Sequence, residues 1–226
     1  MRFLVAVISC EQEPYWTIEN EGARKTWAAR IPYEMGVLFY YGRPGKSEIV
    51  GDRVYLDCPE SWYHMTQKAL LFFEKILEEY KDLEYAFFTN LSSYIRLEKI
   101  LESFRRFQGS VYSGLVGEIW GIHYASGAGF FLSRDLIKMV VDNRDQFPNF
   151  PGAGDVALGK FFADRGIPAV PRNYRLDLCK SRLSTLTRSD VINHYHFRCK
   201  PAERTAEAAY DDIVVMQRVH ALLQGG

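Results

Sequence analysis

Residues 87–101 read FFTNLSSYIRLEKIL. Phe87 and Phe88 lie in an apolar run, and the Leu and Ile residues after Tyr94 recur at helical spacing, so the stretch predicts a strand, a polar turn and an amphipathic helix. The end of a strand beside a helix start is where α/β proteins place ligand-contacting groups. The turn Asn90-Leu91-Ser92-Ser93 therefore bears on function as well as fold. Its side chains have two compatible readings at this level. Ser92 or Ser93 would cap the helix YIRLEKIL, and the amide and hydroxyls would also hydrogen-bond the hydroxyls of a ligand.

On the N-terminal side, RFLVAVISC (2–10) reads as a buried strand, and residues 11–31 turn through Pro14 into a helix carrying Arg24, Lys25 and Trp27. MGVLFYYG (35–42) is a second strand and GDRVYLDC (51–58) a third. PESWYHMTQKALLFFEKILEEY (59–80) is a long helix with Leu70, Phe73, Ile76 and Leu77 on one face. LEYAFFTN (83–90) is the next strand. Four strands alternating with helices predict a mostly parallel sheet covered on both faces.

The second half differs in texture. Residues 109–135 are rich in glycine and aromatics, which suits antiparallel strands with close backbone approach at Gly127 and Gly129. Helices are expected from Ser133, an N-cap, and from Asp155 to Gly166. An extended segment VINHYHFRCK (191–200) and a final amphipathic helix over 203–223 complete the chain. The fold class is thus α/β: a mixed, mostly parallel central sheet flanked by helices, with a smaller antiparallel part in the C-terminal half. The nine residues QFPNFPGAG (146–154) suit a loop better than a linker, so residues 1–226 are expected to form one domain.

Composition narrows the function. The 226 residues carry 28 basic and 28 acidic side chains, so the net field attracts neither nucleic acid nor an anionic membrane, and any anion site is local. The four cysteines are far apart with no C-x-x-C pair, which predicts a reducing, cytoplasmic setting rather than a disulfide framework or zinc ribbon. The N-terminal apolar run is too short for a signal peptide or membrane span. Aromatics at 15% point to a ligand cleft, because Tyr and Trp join an apolar face to a polar tip.

Six segments in order resemble the nucleotide-sugar glycosyltransferases of the GT-A fold, most closely the fringe and β-1,3-galactosyltransferase group. They are ARKTW (23–27), VLFYYG (37–42), SWYHMTQK (61–68), YASGAGFFLSRD (124–135), GDVALG (154–159) and HYH (194–196). The resemblance implies a nucleotide-binding half over about 1–107 and an acceptor-binding, catalytic half over about 108–226. In that family the turn after the fourth strand carries a metal-binding aspartate triplet. Here those positions are Asn90, Leu91 and Ser92, without a carboxylate, and a hard divalent cation needs charged oxygen ligands. The expectation is a metal-independent variant. The Thr-Asn-Leu-Ser turn also resembles glycosyltransferase-like proteins of large DNA viruses and algae.

Without a metal, another cation must neutralise the diphosphate as the glycosidic bond breaks. In an extended NHYHFRCK, residues His194, His196, Arg198 and Lys200 alternate and share a face. The row is either a diphosphate clamp, with Arg198 able to make bidentate contacts, or the solvated face of an edge strand. Ser9, Arg24, Lys68, Thr89, Asn90, Ser92 and Ser93 complete the expected donor-binding set. By the resemblance, Asp155 is the general base, inverting the anomeric centre by in-line attack; its other reading is a helix cap. Gly154 stands where the family commonly has a second acidic residue. Trp120, Gly127, Ala128 and Gly154 are expected at the sugar and acceptor. The implied activity is transfer from a nucleotide sugar, expected to be a UDP-sugar, to a glycan or glycoprotein acceptor. A binding module without turnover and a retaining enzyme are the competing readings.

Overall fold

β1 (Phe3–Ile8) is buried on both faces, and its side chains divide by period two. Phe3, Val5 and Val7 enter one apolar cluster, Leu4 and Ala6 the other. The computed structural model describes residues 1–172, 174–201 and 203–225. The further strands are β2 (Met35–Gly42), β3 (Glu48–Val50), β4 (Arg53–Leu56), β5 (Tyr85–Asn90), β6 (Ser93–Ile95), β7 (Tyr112–Ile119), β8 (Ile122–Ser133), β9 (Val170–Pro171), β10 (Arg175–Asp177) and β11 (His196–Arg198). The helices are α1 (Tyr15–Thr17), α2 (Met65–Glu79), α3 (Leu97–Phe104), α4 (Arg134–Asp142), α5 (Gly154–Ala163), α6 (Arg188–Val191) and α7 (Asp211–Gln224).

The main sheet has the order β3-β4-β2-β1-β5-β8-β7-β9. β4, β2, β1 and β5 run parallel, and β8 enters antiparallel to β5 and pairs with β7 as a long hairpin. One face is covered by α2, α4 and α5, the other by α3, α7 and a second sheet of order β10-β11-β6. This is the mixed, mostly parallel α/β architecture expected from the alternating elements. The second sheet is itself mixed, with β10 parallel and β6 antiparallel to β11. Among the described residues, no helix is long and apolar enough to cross a membrane.

Three local expectations are corrected. Ser92 and Ser93 do not cap a helix: Ser93–Ile95 pairs with β11 as a strand, and α3 begins only at Leu97. The helix expected through Arg24 and Trp27 is instead α1, a π-helical segment Ile18–Ala23 and a 3-10 turn Trp27–Ala29. In that widened segment Glu19 is fully buried and accepts hydrogen bonds from Tyr41 Oη at 2.6 Å, Arg24 Nε at 2.8 Å and Ser9 Oγ. Of VINHYHFRCK, only His196–Arg198 is strand, because that is the length β6 and β10 offer for pairing.

Candidate active site

From β1 the chain moves outward to β2 and β4 on one side, then returns to place β5 on the other. This makes β1 and β5 neighbours at a topological switch point, where open α/β sheets hold ligands beyond the carboxyl ends of the strands. Ile8 and Asn90 are register partners at those ends. They line both of two cavities, of about 390 and 420 Å³, which also share Met65 and Arg198. The turn that follows β5 therefore sits on the seam of the cleft.

The first cavity is lined by Thr89, Asn90, Ser126, Gly127, Ala128, Gly154, Asp155 and Arg175. Asp155 stands in the first turn of α5, where a carboxylate is favoured by the helix dipole. Its Oδ2 accepts the Gly127 N–H at 2.7 Å and its Oδ1 the Val156 N–H at 3.0 Å. Ala153, not Asp155, occupies the N-cap. A Cβ at Gly127 would lie 3.1 Å from Asp155 Oδ2, so glycine there leaves the carboxylate its seat. Thr89 Oγ1 donates to the Ala128 carbonyl at 2.7 Å, tying β5 to β8 beside the cavity. Arg175 is held in a two-pronged contact by Asp177 at 2.7 and 3.1 Å and reaches Ser126 Oγ at 3.2 Å.

The second cavity is lined by Ser9, Cys10, Lys68, Ser92, Lys200 and Arg204, among others. Lys68 is buried and braced: its Nζ donates to the Ser9 carbonyl at 2.8 Å and to Glu60 at 2.6 Å, while Glu60 also accepts the Gly42 N–H. Burial pushes the Cys10 thiol above its ordinary range. Arg204 donates to Ser92 Oγ at 3.2 Å and to the fully buried Asp212 at 2.9 Å.

Arg198 lies at the seam. Its Nη1 donates to Asn90 Oδ1 at 2.5 Å. Burial pushes the guanidinium below its ordinary range, an effect opposed by Asp212 and reinforced by Arg175. A cation held by a neutral amide keeps its full charge for another partner.

The expected row on 194–200 is only partly realised. His196 and Arg198 both face the main sheet, as period two requires, but His196 is buried below the cleft. Its Nε2 is 3.0 Å from Ser93 Oγ, and its ring lies against Phe87 and Gly129. Burial, with Arg175 and Arg198 nearby, pushes its pKa down to about 3, so it is a neutral core imidazole. Ser93, fully buried, spends its hydroxyl on His196 and Ala128. His194 precedes the strand and lines a separate cavity with Arg182 and Asp190. Arg24 lies outside both cleft cavities, paired with Asp52 at 2.6 Å and stacked 4.2 Å over Phe39. Trp120 occupies the β7–β8 turn, 74% exposed with φ of 53°, against Phe150 rather than in either cavity. Arg175, Ser126 and Arg204 were not anticipated. Arg-x-Asp at 175–177 is a visible spacing-two pair, but nothing local places it in a cleft.

The glycosyltransferases that the sequence resembles would place a divalent metal at this turn, and the residues present do not fit one. Leu91 is in the apolar core, Asn90 Oδ1 is taken by Arg198, and Ser92 Oγ accepts from Arg204. Among the described residues, no three His, Cys, Asp or Glu side chains are grouped to hold a metal ion.

No protein-family model matches the sequence, and no curated protein matches it. Among solved structures, the chain is similar to the crystal structure of a glycosyltransferase involved in the glycosylation of the major capsid of PBCV-1, with a TM-score of 0.59. The match covers 96% of this chain and 100% of that one at 11% identity. The likeness is one of fold, consistent with the GT-A-like architecture, and assigns no residue.

Proposed function

We propose that this chain is a glycosyltransferase that moves a sugar from a nucleotide diphosphate sugar, expected to be a UDP-sugar, to a hydroxyl acceptor. The observation that carries the reading is the seam: Arg198, held by neutral Asn90, faces a cavity lined by Asp155 on one side and one lined by Lys200 and Arg204 on the other. The fold shared with a known glycosyltransferase supports it. The second cavity takes the nucleoside diphosphate and the first takes the sugar and the attacking hydroxyl. Residues from both halves of the chain line each cavity, with Arg198 and Lys200 of the second half on the nucleotide side and Asp155 on the catalytic side.

In this mechanism the acceptor oxygen forms a bond to the anomeric carbon as the bond from that carbon to the diphosphate oxygen breaks. The electron pair leaves on the nucleoside diphosphate, and the acceptor proton passes to Asp155. Attack from the face opposite the leaving group inverts the centre. Arg198 and Lys200 meet the charge that develops on the diphosphate, a role that needs no metal ion. Ser9, Asn90 and Ser92 contact the donor, Thr89 and Ala128 set the strand edge beneath it, and Gly127 and Gly154 leave room for the sugar. The test is hydrolysis of UDP-sugars by the purified chain. Asp155→Asn should slow turnover by about 10²-fold or more, the usual worth of a general base, while UDP binding is retained. Unchanged turnover in the variant would remove Asp155 from its role, and absence of UDP binding would remove the reading itself.

A further inference from the structure

The first cavity has polar and apolar lining. Thr89, Asn90, Asp155 and Arg175 supply the polar part, and the apolar part comes from α2, α5 and the sheet. On α2 the lining positions Thr66, Ala69, Leu70 and Phe73 stand at i, i+3, i+4 and i+7, a single helical face. On α5, Leu158 follows Asp155 by three residues, so a carboxylate and an aliphatic side chain line the same space. Below them Phe88 and Phe130, register partners on β5 and β8, stack at 5.1 Å with 18° between their planes. Phe73 meets Phe88 edge-on at 5.1 Å.

Apart from the hydroxyls of Tyr40 and Thr66, the lining there is aliphatic and aromatic, so most sugar hydroxyls placed in it would leave water without gaining partners, which costs free energy, whereas an apolar group gains by the same transfer. An apolar recess continuous with the space beside Asp155 therefore discriminates by what it leaves unpaired as well as by what it buries. We propose that this apolar lining receives the apolar part of the acceptor. The acceptor is then an amphipathic hydroxyl compound with a short alkyl or aryl body, its hydroxyl at Asp155 and its apolar body among Ala69, Leu70, Phe73 and Leu158. This assignment rests on the glycosyltransferase reading, and the transfer is the one written above.

Calorimetric titration of the full chain with methyl, hexyl and phenyl β-D-glucopyranoside, and separately with UDP, tests it. Hexyl or phenyl glucoside should bind about tenfold or more tightly than methyl glucoside, the effect of burying two or so further methylenes. The tighter of the two distinguishes an alkyl from an aryl body. Ala69→Phe and Leu70→Phe, each placing a ring in the recess, should erase the preference and leave UDP affinity unchanged. Equal affinities for the three glucosides, including no binding of any, overturn the proposal, as does a preference that survives both substitutions. The wild-type comparison decides even where a variant fails to fold. If UDP does not bind while the preference holds, the glycosyltransferase reading falls and takes the acceptor role with it, leaving an apolar ligand site.

Discussion

At Asn90 a neutral amide faces a guanidinium. The contact orients Arg198 without cancelling its charge, and it does so at the first position of a turn whose next residue, Leu91, points into the core. Replacing the amide by a carboxylate would convert orientation into neutralisation, because an ion pair in a half-buried site favours both charged forms and competes with an incoming anion. Asn90→Asp should therefore weaken UDP binding by about tenfold or more in the presence of EDTA, measured by titration calorimetry. Affinity equal to or above that of the wild type under those conditions would dismiss Arg198 as the clamp. Gly127 shows the same dependence on a single atom: a Cβ there would crowd Asp155 Oδ2, the oxygen that accepts the Gly127 N–H.

β11 is three residues long, yet it carries Arg198 to the seam, and it is held in place from beneath by His196. A Cβ at Gly129 would lie 2.5 Å from the His196 ring and 2.8 Å from Phe87, so β8 approaches β11 only because residue 129 is glycine. The buried imidazole has a consequence in acid. Its pKa is held down to about 3 in the folded chain, chiefly by burial, against about 6.5 when unfolded. Above the unfolded value neither state binds the proton. Between the two values the unfolded chain is protonated and the folded chain is not, so stability falls as pH drops through that window. The slope from this group is on the order of 1.4 kcal/mol per pH unit. Urea unfolding between about pH 6 and 4.5 should show a shallower loss for His196→Gln than for the wild type. Parallel pH profiles for the two proteins would show that His196 is not the buried titrating group.

For the molecule as a whole, equal numbers of acidic and basic side chains leave no long-range field to gather a nucleotide, so binding must come from the local set at the switch point. That set is cationic and hydrogen-bonding rather than carboxylate-rich. UDP should therefore raise the unfolding temperature by the same amount in EDTA as in Mn²⁺. At about 100 times Kd the linkage term is roughly 2.7 kcal/mol, or about 5 °C or more for a chain of this size. A rise seen only with Mn²⁺ would refute metal independence.

The apolar runs in 3–8, 35–42 and 85–90 and the helical spacing in 65–79 are local patterns, so the α/β class and the polar joint at Asn90 were legible in the sequence. The lack of a carboxylate in that joint was legible too. Burial was not, because it belongs to neighbours far along the chain. Lys68 and Lys200, or His196 and His194, look alike as letters. Only the docking of β11 on β6, about 100 residues away in sequence, buries His196 and leaves Arg198 at the cleft. Likewise, only the return of β5 to the side of β1 joins Ile8 to Asn90. Sequence patterning thus determined the main strands β1, β2 and β5 and the helix α2. The tertiary structure decided which polar groups share a cavity, since strand neighbours set burial, and burial sets which charges remain for a ligand.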